Sequence, residues 1–190
     1  MQLLKDKILS EAEVLPGHML KVGSFLTQQV DTELLREMAK ELARRFADSG
    51  ANKIMTIESS GIPLAVAAGM EMGLPVLFAK KHSTSHVDGY VYSTSVHSTS
   101  HGIEYNMMVS CDYLLEDDRV LLVDDFLSNG NAIRGMMELV EQAGATVAGV
   151  AVAIEKGYQK GGDSLRRDKI RVEALAVVES IEGSAICFRQ

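Results

Sequence analysis

Two stretches, Val120-Leu121-Leu122-Val123 and VAGVAVAI within the strand predicted at 146–154, are apolar at every position instead of at every second one. A strand with one wet face alternates; a strand that never alternates must be covered on both faces, which is the situation of parallel strands under helices. Between the two lies NAIRGMMELVEQAG, where Ile133, Met136, Met137 and Val140 form a helical stripe and Gly144 supplies the stop. Strand, helix and strand make a βαβ unit. The same grammar occurs earlier, with KIMTI at 53–57, a helix predicted from Ile62 to Met72, and PVLFA at 75–79. RVEALAVVES at 171–180 reads as a last strand, and DTELLREMAKELARRFAD at 31–48 as a helix with Leu35, Met38, Leu42 and Phe46 inward. Asp31 or Thr32 is its cap and Gly50 its stop. The expected fold is α/β, a doubly wound, mostly parallel sheet in which residues 1–190 form a single domain.

Charge and cysteine usage narrow the function classes. A net charge of −7 and a pI near 5.2 oppose a surface built to grip nucleic acid, yet leave room for a phosphorylated small molecule in a locally positive pocket. Cys111 and Cys187 are far apart and show no CxxC spacing, so reduced thiols in a cytoplasmic protein are expected. MQLLKDKILSEAEV reads as an amphipathic helix rather than a cleaved leader. The most apolar window, Ser60 to Ala79, is broken by Pro63, Glu71 and Pro75, and no membrane span is expected.

The chemistry concentrates in VLLVDDFLSNGNA, residues 120–132: a buried strand, two adjacent carboxylates, and a turn of small residues that opens a helix. Ligands of open α/β sheets sit at the carboxyl ends of strands, and a helix N-terminus with free N–H groups suits a phosphate. Asp124 and Asp125 then face whatever the phosphate is attached to. Carboxylates accept hydrogen bonds from sugar hydroxyls and balance a metal or a developing cation, so the combination suggests a ribose 5-phosphate. A plain βα junction with capping carboxylates is the bland reading of the same residues.

The stretch resembles the phosphoribosyl pyrophosphate (PRPP) motif of the type I purine phosphoribosyltransferases. It departs from their common Thr-Gly-Gly-Thr form, since Ser128-Asn129-Gly130-Asn131-Ala132 exchanges some hydroxyls for amides. That variant, with IESSGI at 57–62, FAKKH at 78–82 and IEKGYQ at 154–159, is similar to the bacterial members that use xanthine, over essentially the whole chain.

The resemblance implies a type I phosphoribosyltransferase fold with a flexible hood loop and a small base-binding region from the N-terminal segment. It implies transfer of the phosphoribosyl group of PRPP to xanthine, giving xanthosine 5-monophosphate and pyrophosphate in purine salvage. Ser128, Asn129, Gly130, Asn131 and Ala132 would bind the 5-phosphate, and Asp124 and Asp125 the ribose hydroxyls. Glu58, Ser59, Ser60 and Gly61 match the pyrophosphate loop. Lys81, more than its neighbour Lys80, would reach the pyrophosphate as a point charge. Leu20, Thr27 and Lys156 would line the xanthine site, with Tyr158 as a ring-stacking partner; Asn is familiar where this chain has Thr27. Mg²⁺ is expected to arrive on the substrate with no protein metal ligand, and the assembly to be a cytoplasmic homodimer. Two other readings stay open: a PRPP-sensing regulator, which would need a basic DNA-binding domain, and an enzyme for hypoxanthine, guanine or adenine.

One motif stands apart. His-Ser-Thr-Ser-His occurs at 82–86 and again at 97–101. His82 with His86, and His97 with His101, have the spacing of metal-ligand pairs, but no cysteine completes a set. Residues 82–103, poor in Leu and Ile, read as an insertion rather than core, and the resemblance implies a hood that is mobile without ligand and closes over PRPP.

Overall fold

A computed structural model describes residues 1–82, 89–98 and 103–189, without the side chains of His82, Ser98 and Ile103. Helix α1 (Gln2–Glu11) leads into a short hairpin of β1 (Glu13–Leu15) and β2 (Met19–Lys21), a wide turn at Gly23–Thr27, and α2 (Thr32–Arg45). The alternating body comes next: β3 (Lys53–Ile57), α3 (Ile62–Met72), β4 (Val76–His82), β5 (Val91–Ser98), β6 (Ile103–Ser110), β7 (Arg119–Leu127), α4 (Asn131–Gln142) and β8 (Thr146–Lys156). Helix α5 (Gly161–Arg167), β9 (Val172–Glu182) and β10 (Ala185–Phe188) complete it.

Eight strands among the described residues form one sheet in the order β10-β9-β8-β7-β3-β4-β6-β5. The five central strands run parallel, and β10, β6 and β5 are added antiparallel at the two edges. Strand β7 shows why its sequence never alternates. Leu121 and Val123 pack with Leu4 of α1, Leu42 and Phe46 of α2 and its end, and Leu64 of α3, while Val120 and Leu122 pack with Ile133, Met136 and Leu139 of α4. Both faces are dry, so both sets of positions are apolar. In α2, Asp31 rather than Thr32 is the cap, accepting from the Leu34 amide at 3.1 Å.

The segment expected to be an insertion joins the sheet where it is described. Lys80 and Lys81 of β4 lie opposite Met108 and Met107 of β6, and β5 pairs with β6 along its whole length. Val96 is 4% exposed and fits against α4 at Gly135, where a Cβ would come within 2.5 Å of its Cγ2. Few Leu or Ile are needed because β5 is an edge strand, half wet, which Ser and Thr suit. Residues 83–88 and 99–102, and with them the expected hood mobility and both histidine pairs, lie outside the described residues. No helix among the described residues is long and apolar enough to cross a membrane.

Candidate active site

Strands β3, β7 and β8 are parallel neighbours in the sheet, so the segments that leave their carboxyl ends emerge side by side, where open α/β sheets form their ligand crevice. After β3 come Glu58, Ser59, Ser60 and Gly61, opening α3, with a cis peptide between Glu58 and Ser59. Glu58 ties this turn to β4: its Oε1 accepts from the Lys81 amide at 2.6 Å. Gly61 lies against β7 so closely that a Cβ would be 2.4 Å from Thr56 Oγ1 and 2.7 Å from Asp124 Oδ1. Only glycine fits there, and its absent side chain brings the first turn into contact with the carboxylate pair.

Asp124 and Asp125 are 6% and 7% exposed. The Asp125 amide donates to Asp124 Oδ1 and the Phe126 amide to Asp125 Oδ1, both at 3.0 Å. Burial, and then the charge of Asp125, push the Asp124 carboxyl well above its ordinary range; the Lys81 ammonium acts in the opposite sense. Lys81 lies over the Tyr105 ring, 5.3 Å from its centroid, and Lys80, its neighbour along β4, belongs by alternation to the other face.

The turn after β7 opens α4. Gly130 has a φ of 90°, a left-handed conformation that glycine adopts without strain. The Asn131 amide donates to Asn129 Oδ1 at 3.1 Å, and the Asn131 side chain turns to the carbonyl of His97 on β5 at 3.0 Å. From behind, the Gly161 amide donates to the Ser128 carbonyl at 3.1 Å. The turn is thereby fixed with a helix N-terminus at its centre, the arrangement that holds a phosphate.

At the end of β8, Lys156 places its ammonium 4.9 Å from the centroid of the Phe126 ring. Burial lowers its pKa, with the Asp125 charge pulling the other way, and among the described residues no carboxylate forms an ion pair with it. Phe126 and Tyr158 pack against the apolar cluster that contains Leu20, Phe25 and Leu26. The Tyr158 hydroxyl donates to the His18 carbonyl at 2.9 Å, which pins the β1–β2 hairpin beside the pocket. Leu20 is buried in that hairpin, and Thr27 is half-buried at the end of the adjoining turn.

The fold thus brings together Gly61, Asp124, Asp125 and Lys81 by contact or charge, and Asp125, Phe126 and Lys156 on the next strand end. Leu20 and Thr27 are joined to them through apolar packing and chain continuity, with no polar contact to Lys156. Sequence reasoning passes over Phe126, Tyr105 and Thr56. Phe126 stands in the Asp-Asp motif but counts there only as apolar, and Tyr105 and Thr56 carry no motif at all. Thr56 Oγ1 is buried and, among the described residues, has no hydrogen-bond partner, as befits a position where Gly61 and Asp124 crowd in. Among the described residues, no group of three or more His, Cys, Asp or Glu side chains could hold a metal ion.

Residues 23–180 match the family model described as the phosphoribosyl transferase domain. Over all 190 residues the chain is 45% identical to a xanthine phosphoribosyltransferase of Oceanobacillus iheyensis, covering 98% of that protein. It is 46% identical to one of Bacillus cereus, again over the whole chain and 96% of that protein. Among solved structures, an adenine phosphoribosyltransferase of Giardia lamblia complexed with 9-deazaadenine superposes with a TM-score of 0.77 over 92% of this chain and 96% of that one, at 21% identity. One from Trypanosoma brucei, in complex with AMP, pyrophosphate and ribose-5-phosphate, gives a TM-score of 0.76 over 92% and 78%, at 19% identity.

Proposed function

The chain belongs to the phosphoribosyltransferase family, and we propose that it transfers the 5-phosphoribosyl group of PRPP to xanthine, yielding xanthosine 5-monophosphate and pyrophosphate. The observation that carries this reading furthest is the full-length similarity to two curated enzymes of that activity. The crevice supports it: two turns suited to anions flank one pair of buried carboxylates, and an ammonium with no ion pair among the described residues stands one strand further on.

In this reading Ser128 to Ala132 take the 5-phosphate, and Glu58 to Gly61 with Lys81 take the pyrophosphate. The ribose spans between them over Asp124 and Asp125. A purine ring nitrogen attacks the anomeric carbon as its bond to pyrophosphate breaks, the pyrophosphate carries away the bonding electrons, and the base later releases a proton to solvent. No protein nucleophile is required. Two carboxylates under the ribose stabilise the positive charge that grows on the ring, and the closed turns hold the partners in line. Lys156 donates to a xanthine carbonyl oxygen, with Phe126 as the apolar surface and Leu20 and Thr27 on the hairpin side.

Mg²⁺ fits this donor set only as a passenger of PRPP. Asp124 and Asp125 would face it across the ribose, and the substrate and water would supply most of its oxygens. When bound it would offset the charge of the leaving pyrophosphate. A cytoplasmic homodimer completes the proposal. Absorbance assays of xanthine, hypoxanthine, guanine and adenine, each with PRPP and Mg²⁺, test it. Turnover of xanthine well above the others is expected, and none from xanthine with brisk turnover of hypoxanthine would sink the base assignment.

A further inference from the structure

Glu155, one residue before Lys156, is 0% exposed, although it belongs to none of the groups that bind substrate in the proposed reaction. Its oxygens accept from both terminal nitrogens of Arg166, at 2.9 and 2.6 Å, and Arg189 stands 3.9 Å away. A carboxylate buried so completely is tolerated only when paired and held in one orientation. What it is held against is the start of α5. A Cβ on Gly162 would lie 2.2 Å from Glu155 Oε1. A Cβ on Gly161, the residue before, would lie 2.2 Å from the Ser128 carbonyl oxygen and 2.7 Å from the Gly130 nitrogen. Two consecutive glycines therefore form a spacer one backbone thick between the Glu155–Arg166 pair and the turn at 128–130. The helix they open is clamped to α4 as well, since Arg134 donates to Ser164 Oγ at 2.9 Å and to Asp168 at 2.7 Å.

We propose that Glu155 and Arg166 are a positioning pair for the 5-phosphate turn, acting through the Gly161–Gly162 spacer; this rests on the phosphoribosyl reading of the crevice. The planar fork of Arg166 fixes the carboxylate in two directions, and the carboxylate fixes where Gly162 can sit. Gly161 passes that position on through its bond to Ser128. The pairing also leaves no net negative charge behind a site that must attract a phosphate.

The test compares Glu155→Gln, Arg166→Lys and Gly162→Ala with the unaltered enzyme. It reads KM for PRPP, KM for xanthine and kcat, alongside calorimetric titration of PRPP and thermal unfolding. In the folded variants, KM for PRPP should rise about tenfold while KM for xanthine stays within about twofold, a split that general loosening does not produce. Arg166→Lys, which keeps the charge and loses the fork, should fall between the other two and the parent. Equal rises in both KM values, or unchanged PRPP affinity in any folded variant, would overturn the proposal. So would failure of all three to fold, which makes the pair a general structural element. If the unaltered enzyme does not use xanthine, the base assignment fails; if it neither binds nor turns over PRPP, the phosphoribosyl reading fails. The positioning proposal fails only on variants of an enzyme that binds PRPP.

Discussion

At Asp124, burial and the neighbouring carboxylate both favour the protonated form, so the folded-state pKa lies above the ordinary 3.8 of the unfolded chain. Between those two values the native state holds a proton that the unfolded chain has released. Stability therefore falls as pH rises through that window and stays lower above it. Asp124→Asn should accordingly lose that fall of stability with pH, while kcat drops by about 100-fold for want of a carboxylate under the ribose of the proposed reaction. Calorimetric scans across pH, beside a xanthine assay, check both halves. In the proposed reaction Lys156 makes the complementary case on the base side. Losing a charged donor to a substrate carbonyl should raise KM for xanthine roughly 10- to 100-fold in Lys156→Met, with KM for PRPP nearly unchanged. At this scale the sequence is readable wherever a motif carries the residue. Asp124, Asp125 and Gly130 can be named from one stretch, whereas Glu155 and Arg166 cannot, because nothing in their spacing says that a carboxylate will be sealed under a turn 27 residues earlier in the chain.

The turn after β3 and strand β7 matter as a pair, because the first is seated on the second at Asp124. Gly61 is the seat, with Thr56 Oγ1 and Asp124 Oδ1 both inside the space that a methyl group would need. Gly61→Ala should cost about 1–3 kcal/mol by overpacking and should lower kcat more than it lowers the melting temperature, since the displaced group is Asp124 itself. Denaturant unfolding and steady-state rates on the same preparation separate the two effects. The parallel strands and the helices of both βαβ units are legible because dry strands and amphipathic helices write different periods into the chain. The place of β5 and β6 is not. VDGYVYSTSV favours β structure by its Val, Tyr and Thr residues, but that it joins the main sheet depends on β4 supplying the edge on which β6 pairs, and that partner is a tertiary fact.

For the molecule as a whole, the parallel core can be deduced from apolar runs, but the order in which its strands lie side by side rests on the handedness and packing of crossovers. A covered sheet leaves its large exposed apolar side chains few places to be. Val66 and Met70 on α3, Phe78 on β4, and Tyr113 and Leu115 after β6 lie outside. A homodimer should hide some of these, so light scattering should return about twice the chain mass of 20.7 kDa, and a monomer at working concentrations would contradict it. One side chain links the outer edge of the sheet to its chemical centre: Asn131, at the start of α4, donates to the carbonyl of His97 near the end of β5. If the proposed 5-phosphate occupies the neighbouring turn, it should steady the rim of the sheet through this bond. Amide hydrogen exchange along 91–98 should slow when ribose 5-phosphate is added, and Asn131→Ala should uncouple the two, making the edge strand a reporter of whether the phosphate turn is filled.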